Sequence, residues 1–176
     1  MKRVAVFGKP GSGKSTLSQA LAAITGLPLH QLDGLYYDKK GNRVESEAFE
    51  AAHDAILSSD AWLVDGFGTL ASFNKRLDAA DTLIYIDLPY KTSYWLVTKR
   101  LFTGFFTRPN GWPEGSSTFK GSWQSYQTLR LCPRFWNSAF SQRLQAMSAH
   151  KSVFIIQSLS ELNQFVAGQF TSKLNS

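Results

Sequence analysis

The sequence predicts an α/β domain in which short buried strands alternate with helices, and three observations carry that prediction. Val4 to Phe7, Trp62 to Val64 and Leu83 to Ile86 are apolar runs of strand length that end in glycine or aspartate. Stretches with apolar residues at helical spacing separate them. The first run leads into Gly8-Lys9-Pro10-Gly11-Ser12-Gly13-Lys14-Ser15-Thr16, which matches the phosphate-binding pattern G-x-x-x-x-G-K-[ST] at every fixed position.

That loop also stands in the right context, because Leu17, Ala20, Leu21 and Ile24 recur at helical spacing directly after it. Glycines at 8, 11 and 13 free the backbone to turn its N–H groups inward, and the following helix adds the positive end of its dipole. Such a concavity binds polyphosphate. Lys14 is placed to reach the β- and γ-phosphates and the Ser15 hydroxyl to ligate Mg²⁺. Gly8, Pro10, Gly11, Ser12, Gly13, Lys14, Ser15 and Thr16 form the expected nucleotide-binding set.

Gly26 ends the first helix, and Leu27 to Asp33 reads as a loop and second strand ending at Asp33-Gly34. A carboxylate at a strand's carboxyl end faces the region where open α/β sheets bind ligands. Asp33 is therefore a candidate base toward an acceptor hydroxyl, or a holder of Mg²⁺ through water, or simply part of an Asp-Gly turn. Residues 35–43 read as a polar, substrate-facing loop. Phe49, Ala52, Ile56 and Leu57 suit an amphipathic helix from Ser46 to Ser58, with Ser46 as cap and His53 on its surface.

Ala61 to Gly66 is the third strand, with Asp65 at its tip, and Leu83 to Ile86 the fourth, with Asp87 at its tip. Either aspartate can serve as the second acidic element of a phosphate-binding site, the one that holds Mg²⁺. Between them, Phe73 to Ala80 reads as a short helix whose Lys75 and Arg76 are either substrate contacts or an exposed face. Lys91 to Thr103 fits a helix. Residues 104–117 are rich in turn formers and read as a mobile lid bearing Arg108. Phe119 to Ala149 returns to helical character and carries Arg130 and Arg134, with a break predicted at Pro133. Lys151 to Ile156 is the last strand, and Ser160 to Phe170 a terminal helix capped by Ser160.

At 176 residues and 43% hydrophobic content the chain is expected to form one domain, residues 1–176, around one core. Its longest apolar runs fall far short of the roughly 18 residues that cross a bilayer. No export signal is legible, and the single cysteine, Cys132, has no partner for a disulfide or a zinc site. Cys132 is expected to be a small core residue, and the setting a reducing cytoplasm. The net charge of +6 is uneven: residues 91–151 carry nine Lys/Arg against Glu114 alone. That block is a solvated face, or it meets an anionic substrate or nucleic acid.

The glycine loop, Leu32-Asp33, Trp62 to Gly66, Asp87-Leu88-Pro89 and Thr107-Arg108-Pro109 with its tryptophan-rich continuation resemble the adenylate-kinase-like P-loop family. Within it they resemble the small proteins labelled DNA topology modulation (FlaR-like) proteins. The resemblance implies a three-layer P-loop NTPase fold, a five-stranded parallel sheet ordered 2-3-1-4-5 and a lid near residues 104–118. It also implies ATP and Mg²⁺ as ligands. The chain departs from that pattern at Gln31, where relatives carry histidine, and at Phe105 and Phe106, where they carry arginines.

Two functional readings follow. In the first, ATP donates its γ-phosphoryl group to a small acceptor such as a nucleotide or nucleoside, with Lys14, Asp33, Arg108, Arg130 and Arg134 as catalytic groups and Ser15, Asp65 and Asp87 as metal-side candidates. No glutamate follows Asp65 or Asp87 to activate water, and Asn74-Lys75-Arg76-Leu77 lacks the aspartate of a guanine-reading motif. In the second, an NTPase or regulator binds nucleic acid through the basic block, with Trp112, Trp123, Trp136 and Tyr126 as stacking platforms.

Overall fold

The computed structural model describes residues 1–36, 44–103 and 118–167. Along them the order is β1 (Arg3–Gly8), α1 (Lys14–Thr25), β2 (Leu29–Gln31), α2 (Leu32–Tyr36), α3 (Ser46–Leu57), β3 (Trp62–Asp65) and α4 (Leu70–Ala79). Then come β4 (Thr82–Ile86), α5 (Tyr90–Thr103), α6 (Thr118–Phe135), α7 (Ser138–Met147), β5 (Ser152–Ile156) and α8 (Leu159–Val166). The strands form one parallel sheet in the order β2-β3-β1-β4-β5. This is the expected three-layer P-loop arrangement.

Alternation along the strands divides the core in two. Ala5, Phe7, Trp62, Val64, Leu83 and Tyr85 pack on one face with Phe49 of α3, Phe73 and Leu77 of α4 and Phe140 and Leu144 of α7. Val4, Val6, Leu63, Ile84 and Ile86 pack on the other with Leu17 and Leu21 of α1 and Leu162 and Phe165 of α8. Because helices cover both faces, the central strands are apolar at successive positions rather than at alternate ones. The sheet register sets Val6 beside Asp65 and Gly8 beside Ile86, so the glycine loop, Asp65 and Asp87 share one edge. At Gly8 that approach is close: a Cβ there would lie 2.3 Å from the Ile86 carbonyl oxygen.

Several boundaries differ from those expected. The second strand stops at Gln31, and Leu32, 1% exposed, is drawn into the core as the start of α2. Asp33 thus stands in a helical first turn. Ser46 is the first residue of α3 rather than its cap; Glu45 precedes it without a side-chain cap bond. Helix α4 starts at Leu70, three residues early, because Thr69 and Ser72 form a reciprocal cap with both bonds at 3.0 Å. Pro133 does not break α6: lacking an N–H it forfeits its own bond to the Leu129 carbonyl, but the helix runs on to Phe135 and the Trp136 N–H reaches the Cys132 carbonyl at 2.7 Å. The break comes at Asn137, whose side chain accepts from the Phe140 N–H at 3.1 Å and caps α7. Ser158, not Ser160, caps α8; the predicted end at Phe170 lies outside the described residues. Among the described residues no helix is long and apolar enough to cross a membrane.

Candidate nucleotide site

The loop between β1 and α1 takes the backbone that its glycines permit. Gly11 and Gly13 have φ of +73° and +84°, and Gly13 forms the N-terminal boundary of α1. A Cβ on Gly11 would sit 2.7 Å from Val97 Cγ2 and 2.9 Å from the Ser93 carbonyl oxygen, so α5 braces the loop from outside. Lys14 Nζ donates to the Lys9 carbonyl at 2.9 Å, across the loop. Burial lowers the Lys14 pKa below the ordinary lysine value, opposed by Asp65 and then Asp33.

Four charged side chains from four elements converge on this loop. Asp65 is 4% exposed, and burial raises its pKa; Lys14 opposes that most, followed by the Ser15 hydroxyl, and the Gln31 amide also opposes it. Its Oδ1 has no hydrogen-bond partner among the described residues. Asp33 is exposed and interacts with Lys14, Asp65 and Arg100. Arg100, on α5, donates from Nη2 to Ser125 Oγ of α6 at 2.8 Å, and burial lowers its pKa against the pull of Asp33. Arg100 was not singled out from the sequence. The signal was present: Ser93, Val97 and Arg100 fall on one stripe of α5, and the first two are fully buried.

Asp87 is placed differently. Its Oδ1 forms an ion pair with Lys9 Nζ and accepts from the Tyr85 hydroxyl at 2.9 Å. Lys9 is 2% exposed and lies over the Tyr90 ring, 4.7 Å from its centroid. The loop therefore carries two lysines in different settings, one clipped to β4 and one near Asp65 and Asp33.

The remaining candidates scatter. Arg130 and Arg134 are exposed on α6, with no ion-pair partner among the described residues. Their helix passes the loop, since the neighbouring Cys132 is buried and feels both Lys9 and Lys14. Arg108, Trp112 and the lid at 104–117 lie outside the described residues, as does the loop at 37–43. Trp136 belongs to the aromatic core, stacked on Tyr85 at 5.1 Å and on Phe7 at 6.0 Å, rather than on a surface platform. Tyr126 stacks on Tyr94 at 6.0 Å and hydrogen-bonds Thr98, while Trp123 is exposed.

Two expectations are corrected. His53 is fully buried, stacked on Phe49 at 6.1 Å, not on the surface of α3. Arg76 is also fully buried, so it is neither an exposed face nor a direct substrate contact; Lys75 beside it is exposed and pairs with Asp54 at 2.8 Å. In both cases a polar residue on an amphipathic helix reads as outward-facing, and its buried partner lies on another element.

The donor set fits Mg²⁺ carried in with a nucleotide. It offers one hydroxyl and one buried carboxylate with a spare oxygen, and the described residues hold no group of three or more His, Cys, Asp or Glu able to cage a metal alone. Mg²⁺ keeps several waters and phosphate oxygens and needs few protein ligands.

No protein-family model matches the sequence, and no curated protein matches it significantly. Solved structures do. A shikimate kinase from Acinetobacter baumannii, in complex with shikimate, is similar over 99% of this chain and 94% of its own, with TM-score 0.59 and 15% identity. A sugar kinase from Janibacter sp. HTCC2649, in an unliganded structure, is similar over 97% and 93%, with TM-score 0.51 and 13% identity. A gluconokinase from Sinorhizobium meliloti 1021 aligns over 99% and 94%, with TM-score 0.49 and 16% identity. The first two likenesses establish that the chain has the fold of P-loop kinases.

Proposed function

We propose that this protein is an ATP-dependent phosphotransferase that moves the γ-phosphoryl group to a small acceptor, a nucleoside or nucleotide. The observation that carries the reading is the exposed Asp33 carboxylate at the sheet edge, electrostatically coupled to Lys14, Asp65 and Arg100. An acceptor hydroxyl held there meets a base on one side and a phosphate cradle on the other. The P-loop-kinase fold and the absence of a glutamate next to Asp65 support transfer to an acceptor over hydrolysis.

In this reading the backbone from Gly8 to Thr16 grips the phosphates and Lys14 neutralises charge on the transferred group. Ser15 and Asp65 hold Mg²⁺, which neutralises phosphate charge when bound; Asp87 is engaged by Lys9 and Tyr85 instead. Asp33 orients and deprotonates the acceptor. Arg100, with Arg108, Arg130 and Arg134, supplies cationic cover over the transferred group. Phe67 and Phe135, half-buried with centroids 4.9 Å apart, form an aromatic wall beside the loop that follows Asp65, which suits a planar base. The likeness to FlaR-like proteins is compatible with this and names no acceptor.

The test is a panel of nucleosides, nucleotides, sugars and hydroxy acids, the last two prompted by the structural neighbours. Each is incubated with ATP and Mg²⁺ while ADP release is followed, with Lys14→Ala as the blank. If wild type and blank coincide for every acceptor, the reading fails. A second reading, nucleic-acid binding, is favoured by Trp95 and Trp123, exposed on two helices whose described residues include no Asp or Glu. Binding of single-stranded DNA that falls steeply with salt supports it, and no binding at low salt removes it.

A further inference from the structure

Arg76 is buried to 0% exposure and no carboxylate pairs with it among the described residues. Burying an unpaired guanidinium is costly, so its hydrogen bonds define its role. Nη2 donates to the Gly66 carbonyl at 2.8 Å and to the Phe67 carbonyl at 3.1 Å. Nη1 donates to His53 Nε2 at 3.4 Å, which puts the imidazole proton on Nδ1. Burial brings the Arg76 pKa down to about 10, still protonated near neutrality. The two carbonyls that it holds belong to the residues directly after Asp65, on the loop beside Leu32 and therefore beside Asp33: a Cβ on Gly66 would lie 3.2 Å from Leu32 Cβ.

Every peptide bond among the described residues is trans, so each N–H points opposite to the carbonyl of its own peptide unit. With the Gly66 and Phe67 carbonyls turned toward the buried guanidinium, the N–H groups of Phe67 and Gly68 turn away from it. Neither N–H has an acceptor among the described residues, whereas those flanking them do: Gly66 N–H donates to the Val6 carbonyl at 3.2 Å and Thr69 N–H to Ser72 Oγ at 3.0 Å.

We propose that Arg76 is a positioning residue for acceptor binding: from behind the loop after Asp65 it fixes two peptide groups so that their N–H donors face an oxygen of the acceptor. This rests on the phosphotransferase reading above. Arg76 touches neither substrate. It acts through the Gly66-Phe67 and Phe67-Gly68 peptides, and the forked guanidinium suits the task because one nitrogen bridges two carbonyls while the other is held by His53.

The test uses the full chain with Arg76→Met, which removes the charge, and Arg76→Lys, which keeps the charge and loses the fork. Binding of a fluorescent ATP analogue with Mg²⁺ stays within about threefold of wild type in both variants, while the acceptor KM rises by about tenfold or more and kcat changes less. A second readout needs no acceptor. Amide hydrogen exchange at Gly66 and Thr69 accelerates by about tenfold in both variants and is unchanged along β4. If wild type accepts nothing in the panel, the phosphotransferase reading falls and the exchange result alone decides whether Arg76 holds the loop. Unchanged exchange at Gly66 and Thr69 overturns the proposal. So does a loss of ATP affinity as large as the rise in acceptor KM. If the Met variant does not fold, the Lys variant carries both measurements.

Discussion

Substituting Gly11 by alanine probes the phosphate loop where the structure gives the cost in separable parts. The residue has φ +73°, which an L-residue adopts at a cost of about 1–2 kcal/mol. The new Cβ would lie 2.7 Å from Val97 Cγ2 and 2.9 Å from the Ser93 carbonyl oxygen, and overpacking of that kind costs about 1–3 kcal/mol more. Together these give about 2–5 kcal/mol, or about 4–20 °C in thermal midpoint for a chain of this size. ATP affinity falls as well, because relief of the clash moves the amides that face the phosphates. Val97→Ala alone costs about 1.5–2.5 kcal/mol for its lost methyl groups and cavity. In the double variant the contact with Cγ2 disappears, while the dihedral cost and the Ser93 carbonyl remain. The double variant should therefore be more stable than the sum of the singles by about 1 kcal/mol. Thermal unfolding and ATP titration on the four proteins of the cycle decide it. Strict additivity, or a Gly11→Ala protein that melts and binds like wild type, refutes the assignment of α5 as the brace of the loop.

Three further outcomes are expected. Asp33→Asn keeps ATP binding and lowers the transfer rate by about 10²–10⁴-fold, read as kcat beside a titration with a non-hydrolysable analogue; equal loss of both would move Asp33 into the nucleotide site. Asp65→Asn raises the Mg²⁺ concentration needed for half-maximal nucleotide binding by about tenfold or more, whereas Asp87→Asn leaves it unchanged and lowers the thermal midpoint by exposing Lys9 to an unpaired burial. The reverse ranking in a magnesium titration would make Asp87 the metal-side carboxylate. Burial, and then Arg76, hold the His53 pKa below 6.5, so the unfolded chain binds that proton first as pH falls, and the stability His53 contributes is complete above about pH 6.5 and declines below it. His53→Gln should flatten the difference between urea midpoints at about pH 7.5 and about pH 5.5, and an unchanged slope would assign it to other groups such as His30, whose pKa burial also lowers.

What was legible in the sequence was local. The glycine loop carries its own steric demand, so the pattern from Gly8 to Thr16 led directly to the αL backbone at Gly11 and Gly13. The strand tips at Asp65 and Asp87 were equally clear, because an apolar run ending in aspartate marks a sheet edge without help from the rest of the chain. What separates those two aspartates is not local: Lys9 stands 78 residues from Asp87, and nothing in the spacing announces that they pair. The burial of Arg76 and His53 is not legible from their own helices for a related reason. Each is polar and lies on an amphipathic helix, where solvent is the default environment, and only contact between α3, α4 and the loop after β3 makes burial tolerable. At Leu32 tertiary packing overrode the strand pattern, turning the chain into a helix one residue before Asp33.

The two loop lysines show how that long-range pairing bears on nucleotide binding. An uncompensated Lys9 ammonium would compete with Lys14 for the phosphates and would repel it. The ion pair with Asp87, together with the Tyr90 ring, absorbs that charge and anchors the Lys9 side chain in β4 and α5. Anchoring the side chain also fixes the peptide, and the Lys9 carbonyl is the group to which Lys14 Nζ donates at 2.9 Å. The Lys14 ammonium therefore waits in the loop already partly desolvated and bonded to one neutral acceptor. Phosphate oxygens are charged and form stronger bonds with it than a carbonyl does. In the proposed phosphotransferase reading, capture of the phosphate tail is then an exchange of hydrogen-bond partners at Lys14, and part of the dehydration and ordering of its side chain has been met in folding, through an aspartate that holds Lys9.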